Sequence, residues 1–555
     1  MRPGATLAAL ALLLGVTVAA SGCGASSDPG QAGSRPNIVV IMTDDQTAES
    51  MRVMSGVRSV LGRRGTTFER AVVSTALCCP SRATFFTGQY MHNHGVLGNR
   101  PPEGGYARLD TTEWLPVWLQ RAGYHTLHIG KFLNRYGQDR PPEEVPPGWS
   151  EWYASVDPST YQFYGYQLNE NGVVTSYPRY STDEFTQRTV DAVTRLATSS
   201  DPFFISLAFV APHTGRPRDP DDPVGLPTPS PAARHRDAFA GEPLPRSPAF
   251  NEADVSDKPN FIRRRPRLTP ARVAAVEENY SQELESLLAV DEGVVNIVEA
   301  LRASRELDNT LIVFTSDNGY FHGEHRVSRG KVMVYEPSIR VPLILRGPGV
   351  PAGARRRQLV TNADLAPTIL DAAGALPGRV QDGESLYGLL RDGGLESGRE
   401  LLLEGPSGIQ AVAFSALRNY RFTYAEHDNG ARELYDLERD PDQLESVHDD
   451  PAYDAIQARL SQRLAALQIC AGASCRTRPK VSLSLRACSA VVAGRGIEKV
   501  EFRSTGRIRD RLRPFAAAVA GASVRARVRT RDGRVVTLDR RLPPECQAAP
   551  REPVR

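Results

Sequence analysis

Pro36-Asn37-Ile38-Val39-Val40-Ile41-Met42-Thr43-Asp44-Asp45 decides the fold class. Ile38 to Met42 is apolar without alternation, the pattern of a strand covered on both faces, and such strands belong to parallel sheets packed between helices. Two carboxylates follow at once. A single aspartate after a strand is explained by a helix cap; a pair at the C-terminal end of a buried strand sits where open α/β sheets bind ligands.

The same grammar recurs along the chain. Tyr124 to Gly130 reads as a strand ending at Lys131, and Pro202 to Phe209 as one followed by Val210-Ala211-Pro212-His213. Thr310 to Thr315 runs into Ser316-Asp317-Asn318-Gly319. Asp44, Asp45, Asp317 and Asn318 together offer hard oxygen ligands, which suit Ca²⁺, with Mg²⁺ as the alternative, better than zinc. A solvated strand terminus is the competing reading of Lys131. Thr269-Pro270 opens a long helix with a buried stripe from Val273 to Val294, and residues 214–268 read as an irregular insertion.

Cys78-Cys79-Pro80-Ser81-Arg82-Ala83-Thr84-Phe85-Phe86-Thr87-Gly88 adds a thiol, a hydroxyl and an arginine at a helix start, where backbone N–H groups attract anions. Two adjacent cysteines are also explained as disulfide partners or buried thiols. The pattern Cys-x-Pro-Ser-Arg-x-x-x-x-Thr-Gly resembles the signature of type I sulfatases, in which the first cysteine, here Cys78, is oxidised to formylglycine. With the Asp44-Asp45 pair, Gly130-Lys131, Ala211-Pro212-His213, Ser316-Asp317-Asn318-Gly319, Gly323-Glu324-His325 and Gly330-Lys331, the resemblance covers residues 35–470.

The resemblance implies an α/β fold of alkaline-phosphatase type, a central mixed sheet flanked by helices, and hydrolysis of sulfate monoesters. By the same match Asp44, Asp45, Cys78, Asp317 and Asn318 hold one Ca²⁺. Hydrated formylglycine at position 78 is the nucleophile, Arg82 holds the hydrate, and Lys131, Lys331 and His213 grip the sulfate. Lys331 or His213 protonates the leaving oxygen. Many family members carry a histidine two residues after the Lys131 position; here Leu133 stands there, which leaves the elimination base to His94 or His325. Leu77 to Ala83, His92-Asn93-His94, Lys131 to Gly137 and Ser316 to Tyr320 resemble the N-acetylglucosamine-6-sulfatase branch, which implies a sulfated sugar as substrate. An aryl sulfatase, a phosphonate monoester or phosphodiester hydrolase, and a non-catalytic surface lipoprotein binding sulfated glycans are the alternatives.

With 555 residues, 41% hydrophobic and 24% charged, the chain has material for several domains. Residues 1–23 read as a signal peptide whose Ala20-Ser21-Gly22-Cys23 resembles a lipobox, and 24–34 as a flexible tether. These predict export, either as a secreted protein or as a surface lipoprotein attached to the membrane through Cys23. Residues 35–475 form the predicted catalytic domain, with a formylglycine-generating enzyme as maturation partner. Cys470 with Cys475, and Cys488 with Cys546, are positioned as two disulfides.

Residues 476–555 hold 20 basic and 7 acidic side chains within a chain of net +3, so a basic tail follows an acidic body. Short alternating runs and Asp532-Gly533 predict a small immunoglobulin-like β-sandwich there. Arg525, Arg527, Arg529 and Arg531 have period two and share one predicted sheet face, either a solvated surface or an anion-binding strip. Nothing in the chain points to nucleic acid.

Overall fold

The computed structural model describes residues 35–547 except 221, 392–397, 407–411, 477, 487, 506, 513–514 and 532–533. The signal peptide, lipobox, tether and the Asp532-Gly533 turn lie outside the described residues.

Ten strands form the main sheet: β1 (Asn37–Asp44), β2 (Thr66–Val72), β3 (His125–Gly130), β4 (Glu151–Ser155), β5 (Tyr166–Glu170), β6 (Val173–Tyr177), β7 (Phe203–Pro212), β8 (Thr310–Ser316), β9 (Leu343–Arg346) and β10 (Ala354–Thr361). Their order is β10-β2-β9-β8-β1-β7-β3-β4-β5-β6. The sheet is mixed, but its centre is parallel: β1 pairs in parallel with β7 and β8, and β3 with β7. Every residue of β1 is buried. Its side chains alternate between two cores, Ile38, Val40 and Met42 on one face and Val39 and Ile41 on the other. This double burial is why the run is continuously apolar.

The Pro270–Ala303 helix backs the second core with Leu287, Val290, Val294 and Ile297. Its first turn is fixed by Thr269, whose Oγ1 accepts from the Arg272 N–H at 3.2 Å, with proline at the first helical position. On the other face lies the Cys78–Thr87 helix, buried at all ten positions and ended by Gly88 in the left-handed region at φ 70°.

Four antiparallel strands follow, β11 (Leu401–Gly405), β12 (Phe414–Arg418), β13 (Phe422–His427) and β14 (Arg432–Asp436). Beyond them come β15 (Val481–Arg486), β16 (Ser489–Gly494), β17 (Ile497–Ser504), β18 (Arg507–Arg511), β19 (Ala516–Ala518), β20 (Ser523–Thr530) and β21 (Val535–Arg541). They make two small antiparallel sheets, β15-β16-β19 and β18-β17-β20-β21, around a core that includes Val492, Val500, Phe502 and Val528. Strands β16 and β18 are absent from the sequence reading. Disulfides join Cys470 to Cys475 and Cys488 to Cys546, while Cys78 and Cys79 are free and buried.

Candidate active site

Four parallel strands deliver their next residues to one place. Asp44 ends β1 and Asp45 follows it; Lys131 follows β3, His213 follows β7 and Asp317 follows β8. Register enforces this, because Thr43 lies opposite Ser316 and Asp44 opposite Pro212. The backbone turns sharply at these ends. Asp45 has φ 70°, and Gly130 has φ 98° where a Cβ would overlap the Ala208 carbonyl.

Carboxylate oxygens of Asp44, Asp45 and Asp317 lie within 4.8 Å of one another, and so do ligand atoms of Asp44, Cys78 and His213. Three buried like charges at that separation demand compensation. Lys131 donates to Asp44, and Lys331 donates to Asp45 and, at 3.0 Å, to Cys78 Sγ. Arg82 Nε donates to Asp317 Oδ2 at 2.8 Å, and its NH1 donates to the Lys131 carbonyl at 2.8 Å. Asn318 Nδ2 donates to Asp45 Oδ1 at 2.5 Å. Burial alone would raise the Asp44 carboxyl, but Lys131, His213 and Arg82 outweigh it and lower it to about 2. Asp45 is held below its ordinary value, since Lys331 and His213 overcome the same burial.

Cys78 occupies the first turn of its helix, with Sγ 3.4 Å from Asp44 Oδ1. Burial first, then the Asp44 charge, pushes its thiol up to about 12. As plain cysteine it is therefore a protonated, poor nucleophile. The helix is pinned beneath the site: Ser81 Oγ donates to the Asp317 carbonyl, and Asn362 Nδ2 donates to Ser81 Oγ at 2.9 Å.

His213 Nδ1 donates to the Thr214 carbonyl at 2.7 Å, which leaves Nε2, 3.7 Å from Asp45, as the unprotonated nitrogen. Burial keeps its pKa below the ordinary histidine value despite Asp44 and Asp45. Tyr161 packs against both catalytic candidates on this side, its ring 4.6 Å from that of His213 and 4.8 Å from Lys131 Nζ. Asn134 Nδ2 donates to the Tyr161 hydroxyl at 2.7 Å. Sequence reading does not find Tyr161, which lies in an irregular stretch with no motif around it.

A hard divalent cation fits this donor set. Three carboxylates converge, and Asn318 Oδ1 is buried without a hydrogen-bond partner among the described residues.

His94 and His325 are not brought into this cluster. His94 Nδ1 accepts from the Val96 N–H at 3.1 Å and its Nε2 lies 3.1 Å from Thr84 Oγ1. Burial lowers its pKa to about 3, so it is a neutral core residue. His325 is bonded through Nδ1 to Glu252 at 2.7 Å and lies against the Tyr335 ring at 4.3 Å. Among the described residues neither has a cluster member as its hydrogen-bond or ring partner.

Residues 36–375 match the family model described as Sulfatase, and residues 323–469 match the model described as N-sulphoglucosamine sulphohydrolase, C-terminal. An arylsulfatase of Volvox carteri is 33% identical over 81% of this chain and 77% of its own length. The N-acetylglucosamine-6-sulfatase of Homo sapiens is 31% identical over 86% of this chain and 91% of its own. A solved structure of a protein in complex with its substrate D-glucosamine-2-N,6-O-disulfate superposes with a TM-score of 0.65 at 24% identity, covering 78% of this chain and 97% of that one.

Proposed function

The chain belongs to the sulfatase family and is a sulfatase, and on that premise we propose that it hydrolyses a sulfate monoester of a sugar, of the 6-sulfated N-acetylglucosamine type, through a formylglycine made from Cys78. The observation that carries this reading is the contact set of Cys78 Sγ: Lys331 Nζ at 3.0 Å and Asp44 at 3.4 Å, with Asp44 shared between the Cys78-His213 group and the Asp45-Asp317 group. The sugar class comes from the N-acetylglucosamine-6-sulfatase relatives; the algal arylsulfatase favours an aryl sulfate as the second reading.

Asp44, Asp45, Asp317, Asn318 and position 78 would hold the divalent cation, Ca²⁺ in our reading. Bound there, such a cation would supply Lewis acidity toward position 78 and offset charge at the site. Lys131 and Lys331 supply two ammonium groups to the sulfate oxygens. Arg82 keeps Asp317 fixed and neutralises charge beside position 78. Lys331, kept as an ammonium by Asp45 against the cost of its burial, is placed beside position 78 to protonate the departing ester oxygen. We give the base role to His213 Nε2, unprotonated and inside the cluster, in preference to His94 and His325. Tyr161 positions both Lys131 and His213.

Two disulfides suit an oxidising compartment, in line with export; attachment through a lipidated Cys23 rests on the lipobox resemblance. Maturation would require a formylglycine-generating enzyme in the host.

The test is the mass of the peptide containing residue 78 from natively produced protein, followed by hydrolysis of 6-sulfated N-acetylglucosamine against an aryl sulfate with Cys78→Ala as control. We expect the aldehyde mass and faster release of sulfate from the sugar. An intact thiol in fully active protein would sink the mechanism.

A further inference from the structure

The segments that follow β1 and β8 do more than reach the cluster. Thr47 and Glu49 come just after Asp45, and Tyr320, His322, Glu324 and His325 just after Asn318. With the Pro441-Asp442-Gln443 segment and the 245–249 part of the irregular insertion, they line a cavity of about 520 Å³. The insertion is fastened there, because the His325 N–H donates to the Ala249 carbonyl and the Asn251 N–H to the Gly323 carbonyl, both at 2.9 Å. Asp44, Asp45, Cys78, His213, Asp317 and Lys331 are not on this wall. Thr47 and Tyr320, which are, stand two residues, at most about 7 Å, from Asp45 and Asn318.

The wall is rich in hydrogen-bond acceptors. Glu324 accepts the His322 N–H at 2.7 Å through Oε2, and neither Glu324 nor Asp442 makes an ion pair among the described residues. Burial, then Asp440, raises the Asp442 carboxyl above its ordinary value. The other two carboxylates are engaged, Glu49 by Arg52 at 2.7 Å and Glu336 by Arg418 at 3.0 Å. Arg340, the arginine on the wall, is exposed and donates to the Glu69 carbonyl at 2.8 Å. Two further wall residues hold buried polar atoms with no hydrogen-bond partner among the described residues, Gln443 Nε2 and His325 Nε2. Gln443 Oε1 accepts the Glu336 N–H at 2.8 Å, which fixes the amide with its donors free. His325 Nδ1 donates to Glu252, so in the neutral ring Nε2 accepts. Tyr320 and His322, ring centres 5.5 Å apart, add an apolar face. Buried polar groups cost free energy until bonded, and this set asks for a ligand with several donors and at least one acceptor. Hydroxyl groups are both. A sulfate group offers only acceptors, and its charge would face Asp442 and Glu324.

We propose that this cavity is a saccharide subsite that holds an unsulfated sugar unit, joined to the unit whose ester is cleaved, through hydroxyl hydrogen bonds to Asp442, Glu324, His325 and Gln443. The proposal rests on the reading of the chain as a sugar sulfatase and adds a rule for its substrate: sulfate at the reacting position, none on the neighbour seated here. It gives His325, which stands outside the cluster, a part in recognition in place of elimination. It also makes the insertion a wall of the substrate site.

The experiment uses the full chain with Cys78→Ala, so that nothing is turned over, and calorimetric titration with two disaccharides of N-acetylglucosamine, one 6-sulfated on a single unit and one on both. The singly sulfated ligand should bind about tenfold tighter, the scale of one hydrogen bond to a charged group. Asp442→Asn/Glu324→Gln should bring the two ligands within about twofold of each other, and Gln443→Ala should weaken the singly sulfated one about tenfold. In matured protein, the ratio of kcat/KM for the singly sulfated disaccharide to that for the monosaccharide sulfate should fall about tenfold in Asp442→Asn. Equal binding of the two ligands by the unaltered cavity, or a ratio that none of these substitutions moves, overturns the proposal. Disaccharide binding kept by a matured chain that releases no sulfate would discard the catalytic reading alone.

Discussion

Lys131 and Lys331 at the end of the main sheet, and Arg503 and Arg525 on the C-terminal sheet, are pairs of cations in opposite environments. The lysine side chains are 1% and 11% exposed, each bonded to an aspartate from a distant segment. The arginine side chains are 57% and 47% exposed, each bonded to a carboxylate on its own or the adjacent strand. Burial makes the first pair indispensable, because neither lysine nor carboxylate can be left alone in a low dielectric. Solvent makes the second pair adjustable. The chain thus keeps its buried charges where they cannot be screened and its exposed arginines where they can.

That contrast can be broken most directly by activity. Lys331→Ala should lower kcat for a sulfate ester on the order of 10³-fold, the scale for removing one preorganised charge from a reaction centre. Arg525→Ala should leave kcat on a monosaccharide sulfate unchanged; comparable losses in the two variants would abolish the distinction.

Stability draws the same line. Arg399 is buried and donates to both oxygens of Asp364 at 2.7 and 2.8 Å, fastening β10 and the Thr361 turn to the segment entering β11. Arg399→Met should cost about 3–5 kcal/mol in denaturant unfolding, since Asp364 is left as an uncompensated buried charge. A cost under about 1 kcal/mol would mean that water reaches this pair, and would weaken the argument from burial.

Acid should act on the main body before the arginine face. His94 and His128 are fully buried and lowered to about 3 by desolvation. Unfolding lets each take up a proton near its ordinary value, so the unfolded state binds more protons and stability falls as pH drops from 6.5 toward 3. Each histidine contributes about 2 kcal/mol of loss at pH 5. Thermal melts from pH 7 to 5 should show this slope, and His94→Gln should make it shallower. A slope that is unchanged in His94→Gln would assign the loss elsewhere.

The smallest effect sharpens the comparison from the other side. Arg525→Ala removes a two-nitrogen bond to Asp539, yet chemical denaturation should register less than about 1 kcal/mol. A larger cost would make the arginine face part of the scaffold.

The sequence alone determined the strands of the sheet centre and their terminal residues. Double-sided burial writes β1, β7 and β8 as mainly apolar runs, broken in β7 only by Ser206, and the polar residues after each run are where the chain must leave the core. Periodicity likewise placed Arg525, Arg527 and Arg529 on one face. Strands β16 and β18 escaped because Ser489–Gly494 is built of small residues and Arg507–Arg511 is mostly charged; each is a strand through its partners, not its own pattern. Tertiary structure decided which histidine faces position 78, since imidazole identity says nothing about partners: His94 bonds to Thr84 and Val96, His325 to Glu252, and His213 stands in the cluster. It also decided the placement of Tyr161 beside Lys131 and His213 and a groove at Tyr420. Both arise where segments far apart in the chain are pressed together by the packing of the core, and local spacing carries no record of that.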